Sequence, residues 1–393
     1  MMPIDLELLD FNRRRWLVLA ASALSGCGGG GADTAGVPGT GGTGNLAGTP
    51  GTGGTGIFQG AISGFGSVIV NGVTYDNSRA VMRLNGAVVL QDKLRLGMVA
   101  TVFGDRVAGA VSGTASQIEV WSVAQGPASE VRAGQFKVAG MTILTTAATW
   151  VYGVSAGTAV SDGNYVSVWG LQADKDGHSW TACCVVVSNA VADAVSSGVV
   201  NMEDGQRTLN NVRLTGAVAS KLPDKAVVRV QGTWSADASL NVVSTKSIDS
   251  VVAMPSQGDV EIEGVVTTVP SGSGFMLGSI TVEAVPASYS PAGAFIALGS
   301  RVEVYGSWVG GVLKATKVEL EDDQRTNTVE IKAAFQQFTS LADFVMQGQR
   351  CDATGVMLSS ATTSALFRAG AIFEVKGVKK GDWLQVTEME LDH

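Results

Sequence analysis

Few side chains in this chain are of the kinds that do chemistry near neutral pH. There are two histidines, His178 and His393, and four cysteines, Cys27, Cys183, Cys184 and Cys351. With one histidine in an expected hairpin tip and the other at the C-terminus, neither a His-rich metal site nor a Ser-His-Asp or Cys-His arrangement is expected. The chain has no G-x-S-x-G motif and no Cys-x-x-Cys spacing, so neither a nucleophile elbow, a zinc knuckle nor a dithiol redox site is indicated. Cys183 and Cys184 are adjacent on an expected strand, which sends them to opposite faces, one into the core and one half-exposed. Asp174, Asp176 and Gly177 make half of a calcium loop. The remaining ligands and the bidentate Glu are missing, so a solvated hairpin turn is expected. Glu319, Glu321, Asp322 and Asp323 read as a charged boundary between repeats. No metal, cofactor or catalytic residue is expected. The tryptophans are more suggestive. Trp121, Trp169, Trp180, Trp234, Trp308 and Trp383 all fall on or beside expected paired strands. Indoles on an open sheet face can stack on a ligand, with Trp169 and Trp180 the candidate contacts; indoles in strands also fill cores and seal interfaces. Both roles remain open at this level.

The N-terminus carries Arg13, Arg14 and Arg15 and then an apolar run from Trp16 to Leu24. That run is too short for a bilayer-spanning helix and reads as a secretory signal over residues 1–26. It ends in Leu24, Ser25, Gly26 and Cys27, which resembles the lipobox of bacterial lipoproteins. The resemblance implies cleavage before Cys27 and acylation of its thiol. The paired arginines also resemble a twin-arginine signal, so the export route stays open. Gly28 stands where inner-membrane lipoproteins often carry Asp, which favours the outer membrane of a bacterial envelope, facing the periplasm or the cell surface. Residues 27–56 hold the lipidated Cys and a Gly/Thr-rich linker with no apolar periodicity, a flexible tether reaching about 30 Å. Two G-x-G-x-x-G matches lie in it, from Gly39 and from Gly51. Neither follows a strand or opens a helix, so they are not dinucleotide sites.

The rest of the chain must position whatever the tryptophans do. It is 45% hydrophobic and only 16% charged, with 51 glycines, which suits short strands joined by tight turns. One pattern recurs five times, at 99–104, 165–170, 227–232, 301–306 and 372–377: six alternating residues ending in Gly. Alternation predicts a half-buried strand, and the final Gly a turn or a bulge where the chain leaves it. Seven residues before each Gly is a turn position: Gly97, Gly163, Lys225, Gly299 and Gly370. A second alternating strand follows each, and a hairpin with a turn signal such as Asn71-Gly72 or Gln347-Gly348 precedes it. The first repeat adds a hairpin at Asn85-Gly86. The repeats divide the chain into modules at 57–122, 123–190, 191–252, 253–324 and 325–393. Each has about five strands and no amphipathic helix. A sheet of that size hides its apolar face by closing into a barrel or by pairing with another sheet.

The repeated strand, the Asn-Gly turns, the lipobox and the Gly/Thr tether together resemble bacterial lipoproteins of the domain-of-unknown-function 5666 family (DUF5666), most closely in the first two modules. Strand count and resemblance together imply an all-β tandem array of about five small OB-like β-barrel modules. Cys183 and Cys184 depart from the small or basic residues expected there. The family implies no activity.

The net charge of −8 excludes a phosphate-backbone footprint, so nucleic acid is not an expected partner. The expected protein is a membrane-anchored lipoprotein, not an enzyme, presenting non-catalytic barrels as envelope binding or spacer domains. The alternative is a glycan- or small-ligand-binding protein using Trp-bearing faces; an envelope hydrolase has the least support. The expected partners are the membrane, through the lipid anchor, and a glycan or an envelope protein. If the barrels sit as neighbours on a string, each about 28 Å across, five span about 140 Å.

Overall fold

A computed structural model describes residues 56–107, 109–153, 159–189, 193–235, 237–247, 259–321, 328–366, 368 and 370–392. The expected signal, the lipobox at Leu24, Ser25, Gly26 and Cys27, the tether up to residue 55, Asp322, Asp323 and His393 lie outside the described residues. Residues 52–393 form one compact unit.

The described chain is built from strands, with two short helices, Gly216–Ala219 and Ser360–Ala365. It forms five small closed barrels in tandem. The second barrel shows the plan. Its first strand, Ala124–Arg132, pairs antiparallel with Gln135–Val138, and that strand with Met141–Leu144. Met141–Leu144 then lies parallel to the last strand, Ser179–Ser188. The last strand pairs antiparallel with Tyr165–Gln172, which returns to the first strand and closes the ring. The same circuit runs through the other four barrels, completed in the fourth by the bridge Val266–Leu277. In the fifth, strand Gln337–Ser340 continues the first strand and pairs with Asp343–Met346.

The local signals act as their chemistry predicts. All five turn positions, Gly97, Gly163, Lys225, Gly299 and Gly370, have φ between 62° and 87°. Lys225 holds the left-handed conformation without being glycine. The inner hairpins at Asn71-Gly72, Ala139-Gly140, Asn210-Asn211 and Gln347-Gly348 have positive φ at both central residues, the geometry that matches strand twist.

The repeated glycine differs in one respect from expectation. The chain does not leave the strand there. Strand Tyr165–Gln172 runs past Gly170, and the ladder shifts register between Trp169 and Gly170. The equivalent shift occurs at Gly104, Gly232, Gly306 and Gly377. Each is a bulge, with an extra residue on the last strand: Ser116, Cys183, Val243, Thr316 and Thr387. A side chain at any of the five glycines would collide with a backbone carbonyl oxygen, of Thr114, Thr181, Asn241, Lys314 and Gln385 in turn. Where the extra residue carries a hydroxyl it bonds across the bulge: Ser116 Oγ donates to the Phe103 carbonyl at 3.0 Å, Thr316 to Tyr305 at 3.2 Å and Thr387 to Lys376 at 3.2 Å.

The bulge also corrects the cysteine expectation. Ala182 and Val185 both enter the core of the second barrel, so the two residues between them leave it together. Cys183 and Cys184 are both buried, at 6% and 0% exposure. Cys184 joins a core shared with the first and fifth barrels, and Cys183 a small seam with Val99, Leu171 and Val265. Two residues facing one break the two-residue period on which the opposite-face expectation rested.

The string of beads is also corrected. Strand Gly56–Phe65 of the first barrel lies parallel to Asp259–Val265 of the fourth, with Ile57 opposite Val260 and Gln59 opposite Ile262. Its far end lies parallel to Thr328–Ala334 of the fifth. The first and fifth barrels share one apolar cluster, in which Phe58, Leu94 and Ile118 join Ile331, Phe344 and Phe373. Barrels far apart in sequence are thus packed together, and apolar burial between them stabilises that packing.

Candidate functional site

The candidate tryptophans are placed by the last strands. Trp169 is 3% exposed, within the shared core of the first, second and fifth barrels, and its Nε1 finds no hydrogen-bond acceptor among the described residues. Trp180 is buried as well, and its Nε1 donates to the Gly177 carbonyl at 3.1 Å. The loop beneath it is held by Asp174. Its carboxylate accepts from the backbone N–H of Asp176 at 2.9 Å, of His178 at 3.1 Å and of Ser179 at 2.5 Å. Burial opposes the charge on Asp174, but these bonds outweigh it and hold the carboxyl below its usual range. The half calcium loop is therefore a hydrogen-bonded turn whose main acidic group is engaged with its own backbone.

Trp180 meets two other indoles around a cavity of ≈ 490 Å³ where the first four barrels adjoin. Trp121 enters from the end of the first barrel, Trp180 from the second and Trp308 from the fourth. Gln172, Thr281 and Glu119 add hydrogen-bonding groups to the wall, and Leu171, Val265 and Leu277 an apolar floor. Trp121 and Trp308 are half-buried. Trp169 is not part of this wall.

Trp121 is held by charge. Its Nε1 donates to Glu119 at 2.9 Å, and the ammonium of Lys246 lies 3.9 Å from its ring centre. Glu119 also accepts from Gln117 at 2.7 Å and is 3.6 Å from Lys246. Arg229 of the third barrel lies 5.1 Å from the same indole and forms part of the cavity wall. Burial pushes the Arg229 guanidinium down to about 10 and lowers Lys246, where the neighbouring Arg229 charge adds to the effect and Glu119 opposes it.

A second cavity, of ≈ 430 Å³ and also lined by Glu263, lies among residues of the first, second, fourth and fifth barrels. Its wall carries an acidic row. Glu263, Glu303 and Glu319 stand directly opposite one another on three adjacent strands of the fourth barrel. Like charges in that relation repel. The row survives because each member is compensated differently. Glu263 pairs with Arg301 and accepts the Ala61 backbone N–H at 2.8 Å. Glu319 pairs with Lys317. Glu303 is 5% exposed, and its Oε1 has no donor among the described residues. Burial and the adjacent Glu261 carboxyl push Glu303 up to about 10. It is therefore protonated at neutral pH, beside Glu261. Glu261 in turn pairs with Arg106 and accepts from Asn71 at 3.0 Å, both of the first barrel. The acidic row is thus a polar seam between the first and fourth barrels. Among the described residues no group of three His, Cys, Asp or Glu side chains is arranged to hold a metal ion.

Periodicity alone does not reveal Arg229, Glu261 or Glu303. Each alternates with apolar residues on its strand, as a solvent-facing side chain does, and only the neighbouring barrel makes it buried.

No curated protein matches the chain. The family matches fall on the second and fourth barrels, whereas the resemblance in the sequence was expected to be best in the first two. The model of the family described as Domain of unknown function (DUF5666) matches the second and fourth barrels, over residues 125–182 and 263–319.

Proposed function

We propose that this protein is an exported, lipid-anchored envelope protein whose barrels bind rather than catalyse, and that its ligand site is the Trp-lined cavity among the first four barrels. Three indoles from three barrels on one cavity wall carry this reading. A cavity of ≈ 490 Å³ lies within the size range of small-ligand sites. Indole faces stack on the apolar faces of sugar rings while Glu119, Gln172 and Thr281 match hydroxyl groups, so a glycan is the ligand class proposed. In each barrel the third strand lies beside the last and the closing strand returns to the first, an order that supports an OB-like barrel, a frame used for sugars and oligonucleotides. The net charge of −8 favours sugar over nucleic acid. Leu24, Ser25, Gly26 and Cys27 support the anchor, and Gly28 the outer membrane.

A glycan array probed with the full-length protein and with Trp308→Ala tests the site. Wild-type binding that the variant loses at unchanged melting temperature supports it. Binding unaffected by Trp308→Ala refutes this placement. Palmitate labelling abolished by Cys27→Ser tests the anchor, and labelling that persists refutes it.

A further inference from the structure

We infer that the ligand of this cleft carries an anionic group on its sugar, a carboxylate or a sulfate, and that Arg229 is the residue that receives it. The inference rests on the cleft reading above and names the ligand class more closely.

Arg229 sits on strand Val227–Trp234 and is 5% exposed. Its Nε donates to the Ser122 carbonyl at 2.8 Å, and its Nη2 to Ser122 Oγ and to Asn85 Oδ1, both at 3.2 Å. All three acceptors are neutral. Among the described residues Arg229 makes no ion pair, and its Nη1 makes no hydrogen bond. The partly buried Arg106 and Arg301, by contrast, have carboxylate partners, Glu261 and Glu263. The one carboxylate beside the same indole, Glu119, is already engaged by Lys246, Gln117 and Trp121. A guanidinium withdrawn from water without a counter-ion is unfavourable unless an anion completes it. Its planar fork matches a carboxylate or sulfate with two parallel hydrogen bonds. The Ser122 and Asn85 bonds fix the orientation of that fork, and Trp121 covers one side of it. An acidic sugar would set its ring against Trp180 or Trp308 and its anion against Arg229.

Calorimetric titration of the full-length protein with a galacturonate trimer, a galactose trimer and a galactose-sulfate trimer tests this and separates the two anions. The expected result is binding of at least one acidic trimer about tenfold or more tighter than the neutral trimer. That preference should weaken as salt is raised from about 50 to about 500 mM. Arg229→Lys, which keeps the charge and loses the fork, should reduce the preference, and Arg229→Gln should abolish it. Equal affinity for acidic and neutral trimers overturns the inference while leaving the cleft reading intact. Binding by none of the three overturns the inference and the cleft reading together. Folded Arg229 variants that retain the wild-type preference overturn the assignment to Arg229. If those variants do not fold, the acidic-to-neutral comparison in the wild type decides alone.

Discussion

Replacing Gly170 by Ala tests the reasoning that the recurring glycine exists to admit a bulge. Gly170 lies in extended backbone, so alanine meets no left-handed strain; in open space the change is neutral or mildly stabilising. What opposes it is backbone. The new methyl would overlap the Thr181 carbonyl oxygen and lie 3.0 Å from the Ala182 Cα. Neither group can rotate away as a side-chain tip would. Forcing extra volume against fixed atoms costs about 1–3 kcal/mol. Relieving it by undoing the bulge shifts Leu171 and Gln172 against Thr181 and Trp180, and so moves a cleft indole. A net loss of about 2–3 kcal/mol is expected. Gly272 is the control. Its φ is not left-handed, and a methyl there meets nothing within 4 Å, so Gly272→Ala should stay within about 0.5 kcal/mol of wild type. Urea unfolding followed by tryptophan fluorescence measures both. The first transition is the one to compare, because several packed barrels need not unfold in two states. A Gly170→Ala protein no less stable than Gly272→Ala refutes the argument for all five positions.

Glu303 makes stability pH-dependent. Its folded carboxyl is raised from 4.5 to about 10, so its contribution is fully present below pH 4.5 and lost as pH rises toward 10. Glu303→Gln keeps the donor and removes the titration. The variant should gain on wild type by at most about 1.4 kcal/mol per pH unit across that window, and a flat difference in thermal melts refutes the raised Glu303 carboxyl. Cys183, pushed up to about 11 by burial, and Cys184, also raised, should not react with a thiol reagent in the native protein and should react once it is unfolded. Rapid native labelling of either would contradict their burial. Trp169→Ala should cost about 3–5 kcal/mol in urea unfolding, because that indole fills a shared core, whereas Trp308→Ala should cost far less. Equal losses would show that Trp308 is core as well.

What was legible in the chain was local. The strand period, the left-handed turn positions including Lys225, and the Asn71-Gly72 type of hairpin are set by neighbours a few residues apart, and each is found where the pattern puts it. The bulge was half legible. A glycine at a fixed place in an alternating strand signals a break, but whether the chain turns or continues depends on the partner strand. That ambiguity also concealed the cysteines, since only the extra residue at Cys183 turns both thiols outward. The packing of barrels out of chain order was not legible. Glu261, Glu263, Glu303, Arg106 and Arg229 occupy outward strand positions, where polar residues ordinarily meet water. Their burial comes from neighbouring barrels, as where Gly56–Phe65 lies against Asp259–Val265 and where Arg229 meets Ser122. The cleft belongs to that level, so the tryptophans could be named from the chain while their convergence could not. Of the two named in advance, Trp180 lines the cleft and Trp169 packs in the core.

The account depends most on this packing, because a cleft lined by separate barrels exists only if strand Gly56–Phe65 gathers them. Small-angle X-ray scattering of the fragment 52–393 measures it directly. A gathered unit of about 340 residues should have a radius of gyration near 20 Å. Five barrels in a line of about 140 Å would give about 40 Å, and that result would remove the cleft together with the function proposed for it.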